Sequence, residues 1–370
     1  MLLGCRHVDL PKTIAWHKLD RVNYAFAVPD EHGQLTSFEP ARLRLVVEHA
    51  HRFGKPVSLS VGGWTGSVHL SSLVRHKKSR KAFANKLVEA THQYNLDGID
   101  IDWEYPNSAD GVSCNQNHPQ DTENLLKFFK VLREKLDKKY PKQRKLITAA
   151  VGATVFNDMN QEPSKWLDRG FAKHVDAFAV MAYDLMGPTS EFTEANAGLR
   201  SRRGVSGSQA IQNWVSAGIP RDRILLGVPF YGYTTKIQTT INAASGMGVA
   251  ISRPTQQIQG DQYDHMEKDP CQGAVAAYTG EYQWRSIAQD GILRNASGWH
   301  SYWDPVSLTP YAYNDKHQQF LTFDDPRSLG AKVQFVNNNQ LGGIMLWSLE
   351  MDDAQHSLIN ALQPVRTNPL

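Results

Sequence analysis

The sequence predicts an α/β fold, a closed barrel of eight parallel strands and helices carrying one small α+β lobe, on three observations. Short apolar, β-branched runs alternate along the chain with longer stretches of helical period, the pattern of βα units. The phosphate-cradling Gly-x-Gly-x-x-Gly is missing after the first strand, which counts against an open dinucleotide-binding sheet. From Tyr231 to about Trp303 the chain is too long for a βα loop and has its own aromatic, Gly and Thr-rich segments.

In chain order, strands are expected at Val22 to Ala27, Pro56 to Gly62, Gly98 to Trp103, Leu146 to Val151, Ala177 to Tyr183, Ile224 to Pro229 and Gly343 to Leu346. Between them Pro40 to Phe53, Ser79 to Tyr94, Asp121 to Tyr140, Ser208 to Ala217 and Arg327 to Asn337 read as helices, several opened by Ser or Asp and closed near Gly or Asn. That is seven strands, and a seven-stranded barrel leaves two ladder edges unpaired. The missing strand is expected at Leu2 to Cys5, between Val22 to Ala27 and Gly343 to Leu346. The result is a (β/α)8 TIM barrel from residues 1–230 and 304–370, with residues 231–303 as the lobe between strand seven and its helix.

Composition agrees and removes several function classes. At about 150 residues per domain, 370 residues suit one large barrel with an inserted lobe. With 41% hydrophobic and 21% charged residues the chain buries a full core, which excludes disorder, collagen and repeat arrays. The formal charge of +3 gives no electrostatic case for nucleic acid, so the partner is expected to be neutral. No run approaches the ~18 apolar residues of a membrane span, and Met1 to Cys5 is too short and uncharged for a signal peptide. Cys5, Cys114 and Cys271 are neither a disulfide framework nor spaced as metal ligands; one pair plus a leftover and three free thiols both stay open. The triplet Asn295-Ala296-Ser297 points toward secretion, although such triplets are common by chance. The 14 His show no metal spacing near the motifs, and His7, His51 and His174 read as ordinary surface residues.

The most informative stretch runs from Leu96 to Pro106. Side chains alternate on a strand, so Asp100, Asp102 and Glu104 share one face while Ile99, Ile101 and Trp103 share the other. The apolar face packs under the helices, which turns the acidic face into the barrel and toward its carboxyl rim. Like charges stacked at about 6.6 Å intervals in a confined interior cannot all ionise, so at least one proton is retained. That supplies an acid. The competing reading is a surface acidic strand or a divalent-cation site.

At these residues the sequence resembles glycoside hydrolase family 18, the chitinases, whose hallmark on the fourth barrel strand is Asp-x-x-Asp-x-Asp-x-Glu. Asp97, Asp100, Asp102 and Glu104 fill that pattern. Ser60-Val61-Gly62-Gly63-Trp64 is similar to the family's third-strand motif, Met181-Ala182-Tyr183-Asp184 to its sixth, Gly227-Val228-Pro229-Phe230-Tyr231-Gly232 to its seventh and Gly342 through Ser348 to its eighth. The helix start Asp121-Thr122-Glu123-Asn124 and Asp325-Pro326-Arg327-Ser328 resemble the fungal-type branch that carries the lobe. The chain departs from the family at its amino end, where aromatics usually found on the first strand are missing from Met1 to Arg6.

The resemblance implies a retaining, substrate-assisted hydrolysis of β-1,4-linked N-acetylglucosamine polymers. By position, Glu104 is the implied proton donor, Asp102 orients the acetamido nitrogen, Asp100 shares a proton with Asp102, and Tyr183 donates to the acetamido oxygen. Trp347 is the implied floor under the cleaved sugar and Trp64 a platform on the leaving side, because sugar rings present apolar C–H faces. Asp184 contacts the distorted sugar, Met181 packs the pocket wall, Tyr105 lies beside the acid, and Gly63 with Gly62 lets backbone approach ligand. The partner implied is chitin or a chito-oligosaccharide bound by a monomer, with no cofactor, metal, nucleic acid or membrane. Secretion is expected, with a cytoplasmic location as the alternative. Rival functions are an endo-β-N-acetylglucosaminidase on N-glycans and a non-catalytic chitin-binding lectin on the same fold.

Overall fold

The computed structural model describes residues 2–4, 13–187, 190–238, 241, 246–252 and 257–365. Eight strands form one ladder in the order Leu2–Gly4, Val22–Pro29, Val57–Gly62, Gly98–Asp102, Leu146–Gly152, Ala177–Met181, Ile224–Pro229 and Gly343–Trp347. Consecutive members run parallel. The expected first strand is present over Leu2–Gly4, with Leu2 opposite Asn23 and Gly4 opposite Ala25, and it lies beside the eighth strand on its other side. Cys5 and His7 lie outside the described residues.

The strands form where the chain is buried on both faces. Every residue of Val57–Gly62 and of Gly98–Asp102 is buried, as expected for a parallel sheet covered by helices. The helices bury one stripe each. Leu43, Val46, Val47 and Ala50 recur at helical spacing in Pro40–Arg52, which starts with Pro at its first turn. Asp121–Lys139 buries Leu125, Phe128, Phe129, Leu132 and Leu136, with acids in its first turn and lysines in its last. Ser206 caps Gly207–Ser216 by accepting from the Gln209 amide, and Asp325 and Ser328 form a capping box on Pro326–Asn338. A short helix at Leu70–Arg75, too brief to show periodicity, was not expected.

The lobe is larger than the sequence suggested. Its antiparallel sheet runs in the order Glu281–Gln283, Tyr231–Lys236, Gln319–Thr322, Thr309–Asn314 and Trp299–Asp304. The expected boundary at residue 303 therefore cuts through a strand. Gln319–Thr322 is the central partner of Tyr231–Lys236, so this sheet is completed only at Thr322. A second apolar core under it includes Met186 and Ala195 from the loop after the sixth barrel strand, beside Ile237, Tyr311 and Phe320.

Two further expectations resolve here. Cys114 and Cys271 form a disulfide, with Cα atoms 5.4 Å apart, joining the loop after the fourth strand to the lobe. Closing a loop of 157 residues removes about 5 kcal/mol of chain entropy from the unfolded state on the polymer model. His51 is not an ordinary surface residue: its Nε2 is hydrogen-bonded to Asp97 Oδ2 at 2.7 Å, and the same oxygen accepts from the Val57 amide at 2.9 Å. This ties the end of a helix to the starts of two adjacent strands. Among the described residues no helix is long and apolar enough to cross a membrane.

The chain re-enters the barrel from the lobe at a buried ion pair, Lys332 Nζ to Asp324 Oδ2 at 2.6 Å, with Ser328 Oγ donating to the other carboxylate oxygen. Removing the ammonium leaves a buried, unpaired carboxylate. Lys332→Ala is therefore expected to cost about 3–5 kcal/mol, read from urea unfolding, and a loss below about 1 kcal/mol, the range of an exposed pair, contradicts this account.

Candidate active site

The fourth strand and its two neighbours build the site layer by layer. In the parallel ladders Asp100 lies opposite Ser60 on one side and Thr148 on the other. Ser60 Oγ donates to Asp100 Oδ2 at 2.7 Å and Thr148 Oγ1 to Oδ1 at 2.5 Å. The next layer up is Asp102, which faces Gly62 and Ala150. Neither side chain has a donor. Asp102 Oδ1 is accordingly buried with no hydrogen-bond partner among the described residues. Each Asp100 oxygen thus accepts from one hydroxyl, which leaves a further lone pair on each for the expected sharing of a proton with Asp102.

The ladder ends at Asp102, so Glu104 stands two residues beyond the strand, at the rim. Its backbone amide donates to Ser67 Oγ at 2.9 Å, and that hydroxyl donates in turn to the Gly63 carbonyl at 2.9 Å. The chain leaves the third strand through Gly62 at φ +114°, where a Cβ would sit 2.0 Å from the Asp102 carbonyl oxygen. Gly63 is not on the cavity. It lies under the ring of Phe26, which stacks on Trp347 with centroids 5.3 Å apart, so its role is to seat those aromatics.

Burial dominates the electrostatics. It raises the Asp100 carboxyl, against the pull of the Thr148 and Ser60 hydroxyls. It drives Asp102 well above the ordinary carboxylate range, helped by the charges of Glu104 and Asp100. Burial likewise raises Glu104 to about 7, with the Tyr105 hydroxyl opposing and the charge of Asp184 assisting. A stack of three carboxyls thus holds protons at pH values where exposed ones have lost them.

The sixth and seventh strands supply the facing wall. Tyr183 is buried, and among the described residues its hydroxyl donates to the Met345 sulfur at 4.0 Å. Asp184 follows in left-handed backbone at φ +57°, its amide donating to Asn196 Oδ1 at 3.0 Å. Tyr231 donates to Asp184 Oδ1 at 2.6 Å and the Tyr233 hydroxyl bonds the same carboxylate, while burial raises its pKa to about 6.

Together these groups line a cavity of about 900 Å³. Of the ten residues singled out from sequence, eight line it: Asp102, Glu104, Tyr105, Met181, Tyr183, Asp184, Trp64 and Trp347. Asp100 and Gly63 stand behind the wall. Trp64 is 46% exposed at the rim, its Nε1 donating to Asp269 of the lobe at 3.2 Å. The sequence reading missed Phe26, Tyr231, Tyr233, Arg203 and Glu281, all lining residues. Tyr231 and Tyr233 carried a signal, since alternate residues of one strand share a face. Glu281 carried none. It sits on a three-residue strand, and burial raises it to about 8.

A protonated carboxyl, an unpartnered carboxyl oxygen, a tyrosine hydroxyl and indole surfaces converge on one space. This set can protonate a leaving oxygen, accept from an N–H and hold a sugar ring by its apolar face.

Comparisons with known proteins point the same way. The family model described as glycosyl hydrolases family 18 matches residues 6–352. The crystal structure of a chitinase from Rhizomucor miehei superposes with a TM-score of 0.93 at 49% identity, covering 97% of each chain. A protein named chitinase-like effector from Moniliophthora perniciosa is 32% identical over 92% of this chain and 80% of its own length. Chitinase A1 of Niallia circulans is also 32% identical, over 80% of this chain and 40% of its own.

Because the negative charge of Asp184 helps keep Glu104 protonated, Asp184→Asn is expected to lower the Glu104 pKa from about 7. Carbon-13 NMR titration of the labelled carboxyl reads the shift directly, and an unchanged or higher value overturns the electrostatic assignment.

Proposed function

The chain belongs to glycosyl hydrolases family 18 and hydrolyses chitin, and we propose that it does so by a retaining, substrate-assisted mechanism with Glu104 as acid and base. The observation that carries the proposal is the pairing of a Glu104 carboxyl raised to about 7 with a buried Asp102 oxygen that has no hydrogen-bond partner among the described residues. One group holds a proton to give; the other waits for a donor.

The chemistry follows from the positions. A sugar ring rests on Trp347, itself seated on Phe26. Glu104 gives its proton to the glycosidic oxygen as that bond to the anomeric carbon breaks. The substrate's own acetamido oxygen attacks the same carbon from the opposite face and forms an oxazolinium ion. Asp102 accepts from the acetamido N–H, which orients the group and offsets the charge that develops on it, and the Tyr183 hydroxyl donates to the acetamido oxygen. Water then attacks the anomeric carbon as its bond to the acetamido oxygen breaks, which restores the neutral acetamido group, and the water gives a proton to the Glu104 carboxylate. Asp184, fixed by Tyr231 and Tyr233, bonds the distorted ring.

The same reading takes the enzyme to be a chitin-binding monomer acting outside the cell. The Cys114–Cys271 disulfide supports an oxidising compartment, and Asn295 of the glycosylation triplet is exposed. All the groups named come from one chain. Parallel assays on chitin oligosaccharides and on a high-mannose glycoprotein separate this function from an N-glycan endoglycosidase and from a lectin. Release from the glycoprotein alone, or from neither, overturns it.

Glu104→Gln is expected to keep fold and oligosaccharide affinity while losing turnover. Residual activity within about tenfold of the parent, ~1.4 kcal/mol of barrier, removes Glu104 from the role of acid.

Two inversions at one carbon leave the configuration unchanged, so proton NMR of nascent product is expected to show the β anomer first, and fully deacetylated chitosan, which lacks the nucleophile, to stay intact. Early α anomer rules the mechanism out. Because the acid must be protonated, kcat/KM is expected to fall as pH rises through about 7.

A further inference from the structure

The loop that follows Glu104 is held from outside the barrel. Asn115 Nδ2 donates to the Glu104 backbone carbonyl at 2.6 Å, while its Oδ1 is buried with no hydrogen-bond partner among the described residues. Gly111 closes on the same carbonyl beside that amide. A Cβ there would lie 2.3 Å from the Glu104 oxygen and 2.7 Å from Asn115 Nδ2, and its φ is +94°. The residue before Asn115 is Cys114, joined to Cys271 of the lobe and donating its backbone amide to the Cys271 sulfur at 3.0 Å. Two residues before Cys271, Asp269 accepts from Trp64 on the barrel rim. The same lobe carries Glu281 and Tyr233, which line the cavity that Glu104 also lines.

We infer that Asn115 and the Cys114–Cys271 disulfide are positioning residues, which tie the acid's backbone to the lobe and so fix the acid against the wall that grips the sugar. The path is short and covalent for most of its length: lobe backbone, disulfide, one peptide unit, one amide side chain, one carbonyl. Among the described residues the disulfide is the covalent tie between this rim loop and the lobe. Binding energy gathered by the lobe is then delivered at the reacting centre as orientation, where a misplacement of about 1 Å can cost about a hundredfold in rate. This inference rests on Glu104 being the acid.

The test compares Asn115→Ala, the pair Cys114→Ser with Cys271→Ser, and all three together, in the full chain on a chito-oligosaccharide. Asn115→Ala and the serine pair are each expected to lower kcat by about tenfold or more, with KM within about twofold, since the platforms are untouched. Each admits water around Glu104, so the alkaline limb of kcat against pH is expected to move to lower pH, toward an ordinary glutamate. The two lesions cut one path, so the triple variant is expected to lose no more than the worse of them. A fall in thermal stability with kcat and its pH limb unchanged makes the crosslink merely structural and overturns the inference. So do fold losses that multiply in the triple variant. If the serine pair does not fold, Asn115→Ala decides alone, because it leaves the disulfide intact. An active Glu104→Gln removes the acid assignment itself; an inactive one beside an unaffected Asn115→Ala removes only the link.

Discussion

Desolvation of carboxyl groups is the constraint on which the rest of the molecule depends. The strand that carries the aspartates, Gly98–Asp102, and its neighbour Val57–Gly62 are buried at every residue, so an aspartate pointing inward pays for it in proton affinity. The sequence places two such residues in successive layers and a glutamate at the rim. Lower down, hydroxyls from both neighbouring strands meet Asp100 and make its burial tolerable. One layer higher the neighbours are glycine and alanine, and the need is left unmet. Satisfaction below and deficiency above is what turns a stack of acids from a structural liability into a site.

Much of this was legible in the chain because period two is so strict. Once Gly98 to Trp103 is a strand, the shared face of Asp100, Asp102 and Glu104 follows from backbone geometry alone, and seven of the eight ladder members announce themselves as apolar runs. What the sequence concealed lies where contacts join distant segments. The lobe's central strand comes late, at Gln319–Thr322, and nothing local marks it as the partner of Tyr231–Lys236. The cysteine pairing could not be chosen from three sulfurs by spacing. Gly63 looked like a ligand-side turn because glycines near motifs often are, yet its neighbour is an aromatic ring. His51 looked like a surface residue because the aspartate it bonds is 46 positions away.

The aromatic layer shows the same division of labour between local pattern and long-range assembly. Trp347 and Trp64 end strands with recognisable motifs, but the surface they offer is set by others. Phe26 supports one from beneath, and a lobe carboxylate holds the edge of the other. Asp184 is likewise defined by its keepers, two tyrosines from the first strand after the barrel's seventh. The lining of the cavity is therefore spread over the barrel and the lobe, and neither supplies all of it.

The lobe's position in the chain also shapes how the molecule is made. Its sheet is built from residues 231–322, one contiguous stretch that leaves the ribosome before the eighth barrel strand, Gly343–Trp347, exists. Both cysteines of the crosslink emerge earlier still. During synthesis the second sheet is thus able to form beside an open barrel whose seventh strand, Ile224–Pro229, still shows an unpaired edge. The lobe begins at Tyr231, two residues after the end of that strand, so its sheet follows directly on the unpaired edge in the order of synthesis. An insertion that serves as a wall in the mature enzyme is, at that stage, a sheet able to close before the barrel does.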